Sequence, residues 1–89
     1  MVVHVADGDT ITVLDAGKVQ HKVRLAGVDA PEKAQPFGQR SRESLEDLVA
    51  GRTVIVETHK KDRYGRYVGK VILNSRDVNL EQIRRGMAW

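Results

Sequence analysis

The 89-residue chain predicts an α+β fold, mainly β: a five-stranded OB-like barrel with two helices, in the order βββαββα. Three observations predict it. Three short strand-like segments follow one another in the first 25 residues, divided by turn residues. One stretch near the middle carries the periodicity of a helix. Two further strand-like segments and a short capped helix then complete the order.

Taken in turn, residues 2–5 and 11–14 read as strands on either side of the D-G-D-T turn. Gly17 marks a hairpin, and Gln20–Leu25 alternates polar and apolar residues as a half-buried strand does. The three make an antiparallel meander. A loop follows, punctuated by Pro31, Pro36 and Gly38. Residues 39–49 predict a helix with Ser41, Ser44, Leu45 and Leu48 on one face, and Gly51 ends it. Residues 53–58 are β-branched and strand-like, residues 60–65 form a polar connection, and Tyr67–Leu73 is the fifth strand. Asn74, Ser75 and Arg76 make a turn. The last element is a short helix capped by Asn79, with Gln82 reaching back as in a capping box and Gly86 closing it.

An apolar fraction of 40% supports one compact core, so residues 1–89 are expected to form a single domain. With no cysteine, neither a disulfide nor a thiolate metal site is possible. No apolar run is long enough to span a membrane, and the sequence is expected to carry no signal peptide, its start almost directly in a strand-like segment being compatible with removal of an upstream targeting segment. A net charge of +3 leans toward polyanionic partners. The basic residues are clustered, Lys60, Lys61, Arg63 and Arg66 in one stretch and Arg40 and Arg42 in another.

Asp9 lies in the D-G-D-T turn, and Asp29 and Glu32 lie in D-A-P-E. Each stretch alone reads equally as an ordinary turn or strand exit. Both fall where strands of one meander end, so the carboxylates can meet. Oxygen donors without cysteine favour Ca²⁺ or Mg²⁺, and two aspartates leave coordination positions for water and a substrate phosphate. His4, His21 and His59 lack zinc-type spacing and read as surface or strand residues. Arg24 stands between two apolar strand residues, and Arg66 follows the Tyr64–Gly65 turn. A pair of guanidiniums suits a phosphate, to which each donates paired hydrogen bonds.

D-G-D-T, then R-L-A-G-V-D-A-P-E, then D-R-Y-G-R resembles the staphylococcal nuclease (thermonuclease) family in motif, order and approximate spacing, over nearly the whole chain. The resemblance implies a five-stranded OB barrel and a Ca²⁺-dependent nuclease cutting DNA and RNA to leave 3′-phosphate ends. It implies that Asp9, Asp29 and the backbone carbonyl of Ala30 ligate the metal. Glu32 matches the general base, Arg24 and Arg66 the phosphate-binding arginines, and Arg63 and Tyr64 residues that contact substrate phosphate. Flexible or single-stranded substrates, a monomer without membrane association, and a secreted or periplasmic location are expected.

The sequence departs from the family in three ways. It is short at the C-terminus, lacking the tyrosine-bearing stretch and further helix that follow in the best-known members. Its loop over residues 33–38 is shorter, and Ser41 and Ser44 make the helix face less apolar. Two rival readings are a non-catalytic OB module that only binds nucleic acid and a structural or protein-interaction domain. Pure binding needs the arginines but not the acids, which repel phosphate in the absence of a cation.

Overall fold

The computed structural model describes residues 1–89 apart from Lys33 and the side chain of His59. Lys33, where the short loop was expected to begin, and the environment of His59 therefore lie outside the described residues. β1 (Val2–Asp7), β2 (Thr10–Leu14) and β3 (Gln20–Leu25) form the expected antiparallel meander. Its alternation is the one the sequence shows, with Val23 and Leu25 buried in β3 and Lys22 facing out.

β3 then pairs in parallel with β5 (Tyr67–Leu73), and β5 pairs antiparallel with β4 (Ile55–Lys61), giving the sheet order β1-β2-β3-β5-β4. The two edges approach each other through the segment leading into β4. The Val2 N–H donates to the Arg52 carbonyl at 2.9 Å, and the Gly51 N–H donates to the Val2 carbonyl at 3.1 Å. The result is the OB-like architecture expected.

α1 (Gly38–Val49) and α2 (Val78–Arg84) cover the sheet. In α1, Gly38, Ser41, Leu45 and Val49 recur at helical spacing, are buried, and form the stripe that packs on β1. The core joins these to Val5, Ile11, Val23, Leu25, Val71 and Val78. Burying each such side chain contributes about 1.5–3 kcal/mol, so this cluster is the main source of stability.

Besides β1 running on to Asp7 and β2 starting at Thr10, three features differ from the sequence expectation. β4 starts two residues later and runs on through Lys60 and Lys61, which pair with Val68 and Tyr67 beyond a register shift after Thr58. Lysines fit there because β4 is an edge strand, where charge discourages further pairing. A sixth strand, β6 (Arg76–Asp77), pairs back on β5. Asn74 and Ser75, at φ 50° and 67°, form the two-residue turn of that hairpin, so Arg76 is already strand.

The third correction concerns the cap of α2. Asp77, not Asn79, caps it, its carboxylate accepting from the Leu80 N–H at 3.0 Å. Asn79 and Gln82 are instead buried. Asn79 Oδ1 accepts from the Val71 N–H, and its Nδ2 donates to the carbonyls of Ala26 and Gly69. Gln82 Nε2 donates to the carbonyls of Gly8 and Ser41, and its Oε1 accepts from the Ser44 hydroxyl. An N-x-x-Q spacing imitates a capping box, but tertiary hydrogen bonds claim both amides.

Candidate active site

The D-G-D-T turn joins β1 to β2 and is fixed from behind. The Gly8 carbonyl is held by Gln82 at 2.9 Å. A Cβ at residue 8 would lie 1.7 Å from Ser41 Oγ, so only glycine permits α1 to approach this closely. Asp9 is consequently aimed outward. Its Oδ1 accepts from the Thr10 hydroxyl at 3.0 Å, its Oδ2 accepts from the Ala30 N–H at 3.2 Å, and its carbonyl receives the Leu25 N–H at 2.8 Å.

Arg24 lies directly across the ladder from Thr10. Its Nη2 is 2.6 Å from Asp29 Oδ1 and 3.5 Å from Asp9 Oδ2, so both carboxylates converge on one nitrogen. Asp29 is mounted by a reciprocal backbone pair with Trp89, at 2.7 and 2.8 Å. Exposure differs sharply between the two acids: the Asp9 side chain is 13% exposed and that of Asp29 68%.

Arg66 enters from the β4–β5 connection, one residue before β5. Asp62 builds that connection. Its Oδ1 accepts from the N–H groups of Tyr64 and Arg66, and its Oδ2 accepts from Arg66 Nε at 2.8 Å. Burial pushes the Asp62 carboxyl up, but the Arg66 N–H, the Arg66 guanidinium and the Tyr64 N–H together outweigh it and hold the group below its ordinary value. The Arg66 guanidinium also lies 5.3 Å from the centre of the Tyr64 ring.

One cleft of about 280 Å³ is lined by Asp7, Asp9, Thr10, Arg24, Asp29, Ala30, Glu32 and Arg66. Six of the residues singled out from sequence thus share one cavity: Asp9, Arg24, Asp29, Ala30, Glu32 and Arg66. Arg63 and Tyr64 stand outside its lining. Both are exposed, Arg63 donating to the Tyr64 hydroxyl at 2.8 Å and lying over its ring at 5.0 Å. Sequence reasoning missed Asp7 and Thr10 as cleft residues and Asp62 as the group that orients Arg66. All three lie inside the motifs already noticed, and Asp62 is four residues before its partner.

Among the described residues the cleft lining holds four carboxylates and two guanidiniums. Among the described residues no three acidic, histidine or cysteine side chains gather as a ready-made metal cage. Asp9 and Asp29, both in contact with Arg24 Nη2, offer hard oxygen donors on the cleft wall. Such a set suits a divalent cation that keeps water or substrate in its shell.

A family model described as staphylococcal nuclease homologue matches residues 22–89. The chain belongs to that family. Among its relatives in the staphylococcal nuclease homologue family, a Haemophilus influenzae protein named an uncharacterized endonuclease is 48% identical over 99% of this chain and 49% of its own length. An Escherichia coli protein also named an uncharacterized endonuclease is 46% identical, over 99% of this chain and 58% of its own. A Shigella flexneri protein named micrococcal nuclease is 40% identical, over 99% of this chain and 55% of its own. The chain therefore spans about half the length of the curated relatives it matches.

Proposed function

We propose that this chain carries the catalytic site of a nuclease that hydrolyses phosphodiester bonds of DNA and RNA, with flexible or single-stranded segments preferred. The observation that carries the reading is the convergence of Asp9, Arg24, Asp29, Glu32 and Arg66 on one small cleft. The endonuclease and micrococcal nuclease names of its relatives support it.

Asp9, Asp29 and the Ala30 carbonyl are the residues that would hold a Ca²⁺ ion. When bound, the cation would supply positive charge beside Asp9 and Asp29 and polarise the phosphodiester. The remaining chemistry belongs to the chain. Glu32 is exposed at the cleft wall, and its carboxylate takes the proton from the attacking water. Arg24 and Arg66 donate charge-assisted hydrogen bonds to the phosphoryl oxygens as negative charge builds on them. Arg24 then exchanges its hold on Asp29 for the phosphate, while Asp62 keeps Arg66 aimed. As the water oxygen bonds to phosphorus the P–O5′ bond breaks, the departing 5′-oxygen takes a proton from solvent water, and a 3′-phosphate end remains.

The test is degradation of denatured DNA with Ca²⁺, with Mg²⁺ and with a chelator, for wild type and Glu32→Gln. Calcium-dependent cleavage that the variant lacks, with end-labelled products carrying 3′-phosphates, is the expected result. Cleavage that survives Glu32→Gln removes Glu32 from the mechanism. Binding without cleavage under all three conditions overturns the enzymatic reading in favour of a binding module.

A further inference from the structure

Gln82 is fully buried, yet it carries an amide where an apolar side chain of similar size would fill the same space. Its hydrogen bonds account for the amide. Nε2 donates to the Gly8 carbonyl at 2.9 Å and to the Ser41 carbonyl at 3.1 Å, and Oε1 accepts from the Ser44 hydroxyl at 2.7 Å. One side chain of α2 thus ties α1 to the D-G-D-T turn, 74 residues away along the chain. Gly8 is itself buried, so its carbonyl needs a partner within the protein, and Gln82 supplies it.

The Gly8 carbonyl shares one rigid plane with the Asp9 nitrogen and the Asp9 Cα. On the other side of Asp9 the next peptide plane is held through its carbonyl, which accepts from the Leu25 N–H at 2.8 Å. Both planes that meet at the Asp9 Cα are therefore anchored, one to β3 and one to α2. With the backbone pinned on either side, the direction of the Asp9 side chain is set before the Thr10 hydroxyl and the Ala30 N–H orient its carboxylate. Ser41 contributes differently. Its hydroxyl, the atom a Cβ at residue 8 would strike, donates to the Met87 carbonyl at 2.6 Å and makes the turn fit closely without bonding to it.

We infer that Gln82 is a positioning residue: by holding the Gly8–Asp9 peptide it sets the place of the Asp9 carboxylate, and thereby the affinity of the cleft for a divalent cation. This rests on the proposed cation site and deepens it, assigning part of the binding strength to a side chain that touches neither cation nor substrate. Groups one step removed from a metal ligand govern affinity by about tenfold to a hundredfold. Ser44 acts on Gln82 in turn, because its hydroxyl decides which end of the amide faces Gly8.

Calorimetric titration of the cation-free protein with Ca²⁺ tests this, at a temperature where circular dichroism shows each variant folded. Gln82→Met keeps the volume and removes the donors. Ser44→Ala keeps Gln82 but releases its orientation. Val49→Ala thins the core at the last residue of α1 and leaves these hydrogen bonds alone. Gln82→Met should raise the Kd for Ca²⁺ about tenfold, Ser44→Ala should raise it by less, and Val49→Ala should not change it. Before any cation is added, the carbonyl carbon NMR signal of Gly8 should move in Gln82→Met and stay in place in Val49→Ala. Where Gln82→Met does not fold, Ser44→Ala against Val49→Ala decides the matter.

An unchanged Kd in the Gln82 and Ser44 variants, an equal rise in Val49→Ala, or no Ca²⁺ binding by wild type overturns the inference. Cleavage of denatured DNA by the same proteins separates it from the nuclease reading. If wild type cleaves and Gln82→Met reaches half-maximal rate at the same Ca²⁺ concentration, the positioning role falls and the nuclease stands. If Gln82→Met weakens Ca²⁺ binding but no cation supports cleavage by wild type, the positioning role stands and the nuclease falls.

Discussion

Two polar clusters lie on opposite sides of the D-G-D-T turn, and they treat hydrogen bonding in opposite ways. Behind the turn, Ser41, Asn79 and Gln82 are buried and Ser44 is half-buried, and every buried side-chain polar atom among the described residues has a partner. In front, the cleft leaves Asp29 and Glu32 exposed and sets four carboxylates against two guanidiniums. The rear cluster is uncharged and closed, so it adds rigidity without an unpaired charge in a low-dielectric interior. The front cluster is charged and partly open to solvent, in keeping with the proposed binding of a cation and a phosphate. A single glycine separates them, its carbonyl bound to the rear and its flanking aspartates facing the cleft.

This contrast predicts that front and rear substitutions fail differently. The largest effect belongs to the front. Arg24→Ala and Arg66→Ala should each lower kcat/KM on denatured DNA by about a hundredfold to a thousandfold, roughly 3–4 kcal/mol. Their melting temperatures should move by only a few degrees; near-wild-type turnover in either variant breaks the assignment. The rear comes next. Gln82→Leu strands the Gly8 and Ser41 carbonyls and the Ser44 hydroxyl, and should cost about 2–3 kcal/mol. Thermal unfolding should show this as a fall of roughly 10–20 °C.

Asp62 occupies an intermediate position, since it only aims a front residue. Asp62→Asn keeps an acceptor for the backbone N–H groups but loses the ion pair, and kcat should fall on the order of tenfold to a hundredfold through misplacement of Arg66. The same residue gives a pH signature. Folding holds the Asp62 carboxyl below its ordinary value, so its stabilisation is complete above the ordinary aspartate range near about pH 4 and is lost as pH falls through and below it. Asp15 behaves alike, lowered by its hydrogen bond from His21 and by the Val19 N–H. Melting curves across the acid range should therefore decline less steeply in Asp62→Asn than in wild type. The smallest effect is that of a chelator added to protein prepared without divalent cations, which should leave the unfolding free energy within about 0.5 kcal/mol of its starting value.

The front of the molecule was far more legible than the rear. Asp9, Arg24, Asp29, Glu32 and Arg66 lie inside compact charged motifs bounded by glycine and proline, and the structure gathers them in one cleft. Strand alternation was similarly readable in Gln20–Leu25, where solvent and core impose a period of two. Asn79 and Gln82 were misread because local spacing offers a cheap explanation, a capping box, for residues whose real partners are 8 to 74 positions away. Asp77 caps the helix from the position just after the turn expected at Asn74, Ser75 and Arg76. Arg63 and Tyr64 share a motif with Arg66, yet the bend built by Asp62 turns only Arg66 into the cleft.

Arg24 bridging Asp9 and Asp29 has a consequence for the resting protein. Mutual repulsion between two neighbouring acids is quieted by a group the polypeptide carries itself, with no help from dissolved minerals. On the proposed nuclease reading, assembly of the fold and loading of the site are then separate steps, the second drawing its cation from solution.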